Sequence, residues 1–187
     1  IPGTLERADG CWPWDAEGKR SLEFMSAYSA VSHGHAHPRL VKALIEQAQR
    51  VAVTSRAYHS TVLGPFLANL VELADLGSPA RALPASGGCE SVETAIKAAR
   101  RWGYRVKGIP AGRAEIVVAR GNFHGRSSTV VGFSTEPGYR ADFGPFAPGF
   151  RHFDFGDIAS LEAAITDTTC AVLIEPIQGE AGIVLPP

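Results

Sequence analysis

Three short stretches hold residues whose types and spacing could do chemistry. Ser86-Gly87-Gly88-Cys89-Glu90 sets two glycines ahead of a helical pattern. Unpaired N–H groups at a helix start, with the positive end of the helix dipole, suit a phosphate. The same residues also read as a plain glycine turn. Two common nucleotide cradles are excluded, because Gly-x-Gly-x-x-Gly is absent and no Gly-Lys-Ser/Thr follows. Gly121-Asn122-Phe123-His124-Gly125-Arg126 offers a flat ring, Phe123, and a fixed cation, Arg126. A ring can lie against a planar cofactor, and Arg can grip a carboxylate with two parallel hydrogen bonds. Taken alone, a core Phe beside a surface Arg explains the wording as well. Glu175-Pro176-Ile177-Gln178-Gly179-Glu180-Ala181-Gly182 carries two carboxylates, Glu175 and Glu180. They suit an Arg or a substrate amine, or simply a solvated turn.

Two further sets of residues invite a metal or a disulfide reading. His33, His35 and His37 alternate, which would place three imidazoles on one side of an extended segment. No acidic or Cys ligand stands beside them in sequence, and Gly34 and Pro38 look like turn punctuation, so no metal site is assigned. Cys11, Cys89 and Cys170 are odd in number and far apart. They read as free thiols in a reducing compartment, the cytoplasm.

The elements that must position these loops follow from periodicity. Cys11–Trp14 and Leu22–Met25 read as a small antiparallel hairpin. Pro38 suits a helix start, with Leu40, Val41, Leu44, Ile45 and Ala48 at helical spacing. A second helix is predicted over 63–75, with Leu63, Phe66, Leu67, Leu70 and Ala74 on one face. A strand at Ala82–Ala85 should run into Ser86, and a long helix should continue to about Val106, turning Val92, Ala95, Ile96, Ala99 and Trp102 inward. Glu115–Ala119 and Arg151–Phe155 read as strands. Asp157 can cap a helix carrying Ile158, Leu161, Ala164 and Ile165. Cys170–Ile174 is continuously apolar, the pattern of a strand buried on both faces. Strand–helix alternation predicts an α/β fold, a mostly parallel sheet with helices on both faces. Ligands bind outside the carboxyl ends of such strands, where the three loops would converge.

Composition agrees with a globular protein. The chain has 187 residues, 45% hydrophobic and 20% charged, with net charge −1. That balance gives no field favouring nucleic acid or an anionic membrane. The longest apolar runs are too short to span a bilayer, and no signal-peptide pattern opens the chain.

Read together, the wording resembles the class III aminotransferases. Ser26-Ala27-Tyr28-Ser29-Ala30-Val31, Gly34-His35-Ala36-His37-Pro38, Thr54-Ser55-Arg56-Ala57, Glu93-Thr94-Ala95 and the second and third loops carry the resemblance. Arg101-Trp102-Gly103-Tyr104, Lys107-Gly108-Ile109 and Phe143-Gly144-Pro145-Phe146 are most similar to the ornithine δ-aminotransferases within that class. The resemblance implies a dimer of fold type I, represented in part: residues 1–60 as an N-terminal small-domain segment and 61–187 as the first part of the cofactor-binding large domain. It implies pyridoxal 5′-phosphate as cofactor and amino-acid and 2-oxo-acid substrates. Gly88 and Cys89 would offer N–H groups to the cofactor phosphate, and Phe123, with His124 beside it, would stack on the ring. Tyr28 and Arg126 would hold the α-amino and α-carboxylate end of ornithine. Glu180 would pair with an Arg from later in the family's chain, and Glu175 would give local support.

The chain departs from that family pattern at three points. Gly87 stands where the family has Ser or Thr, and His59 where it has a second substrate-side Tyr. The lysine that holds the cofactor as a Schiff base has no counterpart among Lys19, Lys42, Lys97 and Lys107. The expectation is therefore a chain that does not transaminate alone, either a truncated piece or half of a split enzyme beside a complementary C-terminal chain. Sheet edges left without partners should make it aggregation-prone. Acetylornithine or 4-aminobutyrate as substrate, or a non-catalytic subunit, are the alternatives.

Overall fold

A computed structural model describes residues 3–55 and 57–187, so Arg56 lies outside the described residues. The chain forms two compact units, Ile1–Arg81 and Ala82–Pro187.

In the first unit, β1 (Leu5–Asp9) pairs antiparallel with β2 (Trp12–Asp15). The expected hairpin therefore uses a different partner: Leu22–Met25 is irregular, and the residues before Gly10 supply the strand. Gly10, at φ +55, makes the turn possible. Arg7 lies over Trp14 at 3.8 Å and Arg20 over Trp12 at 4.4 Å, which tightens the ribbon. α1 (Ser26–Ser29) is a single turn with all four residues at positive φ. α2 (Pro38–Ala48) and α3 (Leu63–Ala74) form where the periodicity places them. Neither buries a residue: Leu44 and Leu73 are 71% and 85% exposed.

The second unit holds the core. Parallel strands lie in the order β4 (Phe150–Phe153), β3 (Glu115–Ala119), β5 (Thr169–Leu173). Strand alternation sends successive β3 residues to opposite faces. Ile116 and Val118 join Ile96, Val130 and Phe133 on one side; Val117 and Ala119 join Phe153 and Ala164 on the other. The first face is covered by α4 (Gly88–Trp102), which continues as a wider turn Gly103–Lys107, and by α5 (Ser128–Gly132). The second is covered by α7 (Ile158–Ala164), whose N-cap Asp157 accepts from Ser160 N. α6 (Pro137–Arg140) lies on the path from α5 to β4. The sheet is thus parallel with helices on both faces, as the alternation predicts.

Three local readings are corrected. Ala82–Ala85 forms no strand, because no strand among the described residues pairs with it. Trp102 does not turn inward; it is 48% exposed at the helix end. Among the described residues β5 lies at the edge of the sheet, where only Thr169 and Cys170 are buried and Val172 is 41% exposed. Among the described residues no helix is long and apolar enough to cross a membrane.

Phe133 has no exposed surface and stacks 4.5 Å from Phe150. Phe133→Ala should therefore cost about 3–5 kcal/mol of stability, read as a lower denaturant midpoint with an unchanged slope.

Candidate functional site

The second unit brings all three loops together. β3 and β5 run parallel, so their carboxyl ends deliver the second and third loops to the same edge of the sheet. α4 starts beside them. Gly87 is extended at φ −169°, and open space surrounds both Gly87 and Gly88 where a side chain would otherwise stand. The N–H groups of Gly88, Cys89 and Glu90 point out of the first turn without intrahelical partners. Glu90 reaches back to accept from Ser86 N at 2.7 Å.

The second loop is latched onto that helix start. Gly125 sits at φ +122, and a Cβ there would stand 2.7 Å from Cys89 Sγ. Ser127 caps α5 and donates its hydroxyl to Glu93 of α4. The Ser127 hydroxyl, then the N–H groups of Ser127 and Arg126, hold the Cys89 thiol below its ordinary pKa; burial and Glu93 act against them. Ser127 has one proton to give, and Glu93 competes for it.

The third loop holds the second from the other side. Glu175 Oε2 accepts from Phe123 N at 3.2 Å, and Gln178 Nε2 donates to Arg120 O at 2.7 Å. Gly121, at φ +71, allows Gln178 to approach, since a Cβ there would lie 3.1 Å from its Oε1. Asn122 is 3% exposed and donates to Ala119 O at 2.6 Å, which fixes the turn out of β3. Burial pushes the Glu175 carboxyl above its usual range, Glu180 adds to the rise, and the Phe123 N–H opposes it. His124 packs 6.0 Å from Phe133, and burial lowers its pKa.

Phe123 is half-buried and Arg126 exposed. Arg126 lines a cavity of about 500 Å³ with Tyr139 and Phe143. Glu180 lines a second, of about 270 Å³, with Asn122, Glu136 and Tyr139. Gly88, Cys89, Phe123, His124, Arg126, Glu175 and Glu180 thus share one end of the sheet. Free N–H groups beside open space fit a phosphate, and the adjoining Phe fits a flat ring. Sequence reasoning missed Glu93, Ser127 and Tyr139. Glu93 stands in the sequence only as part of Glu93-Thr94-Ala95, and nothing about a lone Tyr after Pro137-Gly138 announces that it reaches Phe123.

Tyr28 and His59 belong to the first unit. Tyr28 is 81% exposed and presented at φ +57. His59 lines a hollow of about 370 Å³ with Tyr58 and Leu63. The three alternating histidines do not act as a set. His35 Nε2 meets Glu23 Oε2 at 2.7 Å, an acidic neighbour that sequence proximity did not reveal. Its backbone bridges Gly10 in both directions. His33 and His37 meet edge to face at 6.2 Å.

Comparison with known proteins covers the same residues. The family described as "Aminotransferase class-III" matches residues 1–187. An ornithine aminotransferase of Bordetella pertussis is 53% identical over 184 residues, covering 98% of this chain and 44% of the relative. Ornithine aminotransferase 2 of Staphylococcus saprophyticus is 50% identical over 187 residues, 46% of its length. Among solved structures, the ornithine aminotransferase of Toxoplasma gondii superposes with TM-score 0.95 at 37% identity, over all of this chain and 44% of that one. The acetylornithine aminotransferase of Elizabethkingia anophelis gives 0.82 at 45% identity, over all of this chain and 45% of that one. The chain therefore spans less than half the length of these relatives.

The raised Glu175 pKa sets a pH dependence. The unfolded chain releases this proton first, so the neutral form's contribution is full below about pH 4 and is lost as pH rises through the folded value. Glu175→Gln keeps an acceptor for Phe123 N–H and removes the titration. Its melting temperature should gain on the wild type as pH rises from about 4 to about 7. A constant difference across that range would contradict the assignment.

Proposed function

The chain belongs to the class III aminotransferase family, and we propose that it supplies the phosphate-, ring- and carboxylate-binding part of an ornithine aminotransferase. Class III aminotransferases use pyridoxal 5′-phosphate. When bound, that cofactor exchanges an aldehyde for an amine and draws electrons from the substrate carbon. The reading rests above all on one observation: Gly125 closes against Cys89, joining the open helix start of α4 to the loop that carries Phe123 and Arg126.

Each role follows from chemistry on the page. The N–H groups of Gly88 and Cys89 would hold the phosphate at the positive end of a 15-residue helix. With Gly87 in place of a hydroxyl residue, backbone donors carry more of that contact. Phe123, its N–H fixed by Glu175, would stack on the cofactor ring, and His124, whose charged form burial disfavours, would stand beside it. Arg126 would take the α-carboxylate of ornithine in a two-pronged grip. Tyr28 and His59, in the first unit, would keep the substrate-side roles that the family resemblance implies. Glu180 would pair with an amine or a guanidinium. Partners would be an amino acid, a 2-oxo acid and a second subunit or a complementary C-terminal chain; the compartment would be the cytoplasm. Acetylornithine remains the second reading, favoured by the 45% identity to an acetylornithine aminotransferase and by His59 in place of Tyr.

None of the four lysines is proposed to carry the cofactor. Lys42 pairs with Glu46, and Lys107 donates to Thr169 O at 2.6 Å. The 187-residue chain, given pyridoxal 5′-phosphate, L-ornithine and 2-oxoglutarate, should bind the cofactor and not transaminate. Turnover abolished by Arg126→Ala would refute this.

In the natural holoenzyme, kcat/KM compared across L-ornithine, N-acetylornithine and 4-aminobutyrate should rank ornithine first. Arg126→Ala should lower kcat/KM for ornithine roughly 10- to 100-fold, the scale of a lost charge-assisted pair. A higher rank for acetylornithine would move the assignment to the second reading.

A further inference from the structure

Tyr139 touches both ligand-facing groups of the second loop. It lies in α6, whose N-cap Glu136 accepts from Gly138 N at 3.2 Å. Its half-buried ring meets Phe123 nearly edge-on, at 5.8 Å and 67°. The Arg126 guanidinium carbon stands 5.9 Å from the same ring centroid, within the roughly 6 Å reach of a cation–π contact. The ring forms part of the wall of both cavities, the one with Arg126 and the one with Glu136, Asn122 and Glu180.

An aromatic face is well suited to this place. Arg is long and flexible, and ordering it costs rotamer entropy. A carboxylate would order it, but would occupy the very N–H donors a substrate needs. A ring face attracts the cation and leaves the in-plane donors free. Among the described residues no carboxylate pairs with Arg126. The edge contact to Phe123 limits the tilt of that ring in the same way. Through both contacts one side chain couples the carboxylate grip to the ring-stacking surface.

We propose that Tyr139 is a positioning residue that braces Arg126 for a substrate carboxylate and Phe123 for the cofactor ring. The proposal rests on the reading of those two residues given above. Its aromatic ring, not its hydroxyl, carries the role.

The test is a pair of double-mutant cycles in the natural holoenzyme, read as KM and kcat for L-ornithine and as affinity for pyridoxal 5′-phosphate followed by its visible circular dichroism. Tyr139→Leu should raise KM about two- to fivefold with kcat little changed, the scale of a cation–π contact. It should weaken cofactor binding about two- to tenfold, the scale of an aromatic pair. Tyr139→Phe should restore both. In an Arg126→Ala background Tyr139→Leu should add nothing to KM, and in a Phe123→Leu background nothing to cofactor loss. Tyr139→Met replaces Tyr139→Leu if the latter does not fold. The brace is overturned if Tyr139→Phe is as harmful as Tyr139→Leu, or if the effects multiply undiminished in either background. If Arg126→Ala alone leaves KM unchanged, the carboxylate reading itself has failed, and the brace with it.

Discussion

A single methyl group at residue 125 would force apart the two segments that make the site. Gly125 combines a left-handed φ with a gap too small for a Cβ against Cys89. Only glycine satisfies both conditions without shifting backbone. The hydrogen bond from Ser127 to Glu93 closes the same seam one turn further on. On the opposite side, Glu175 and Gln178 reach back from the third loop to Phe123 N and Arg120 O. The loop after β3 is thus clamped between a helix start and a loop from the neighbouring strand. A loop clamped on both sides presents Phe123 and Arg126 with little ordering left to do when a ligand arrives.

The clamp in turn depends on β3. Its inner residues Val117, Val118 and Ala119 expose no surface, because both faces of the strand are packed. A strand flanked on both sides by parallel partners cannot slide without flipping its apolar residues between two unlike cores. Register therefore fixes where Gly121 begins. Asn122 then uses its buried amide to turn the chain by bonding the carbonyls of Ala119 and Phe133.

Much of this unit was legible in the sequence because its signals are local. The β3 run from Glu115 to Ala119, the Asp157 cap and the glycines before α4 each announce themselves within a few residues. What was not legible depended on partners distant in the chain. Among the described residues, Ala82–Ala85 has the composition of a strand but no neighbour to pair with, and β5 has an apolar run yet an edge position. The true partner of Trp12–Asp15 was overlooked because Leu5–Asp9 mixes charged and apolar residues without clear alternation. Glu23, the partner of His35, lies twelve residues earlier, too far for the sequence pattern to pair the two. At the site, the family wording brought Gly88, Phe123 and Arg126 forward. Tyr139 stayed hidden because a contact 16 residues away in sequence leaves no periodic trace. In the first unit, α2 and α3 formed as the pattern predicted, while their apolar stripes remain open among the described residues.

The charges at the sheet's end are arranged so that they do not cancel one another. Glu175 is partly buried with a raised pKa, and the neighbouring Glu180 raises it further. Across the loop, Arg126 is held by a ring face instead of a carboxylate. An intramolecular ion pair between Arg126 and Glu180 would consume the donors and acceptors that face the two cavities. Keeping like charges together and the cation apart costs some stability. That arrangement suits the proposed reading, in which Arg126 would face a substrate carboxylate and Glu180 an amine or a guanidinium. A substrate with a carboxylate at one end and an amine at the other carries complementary charge for both.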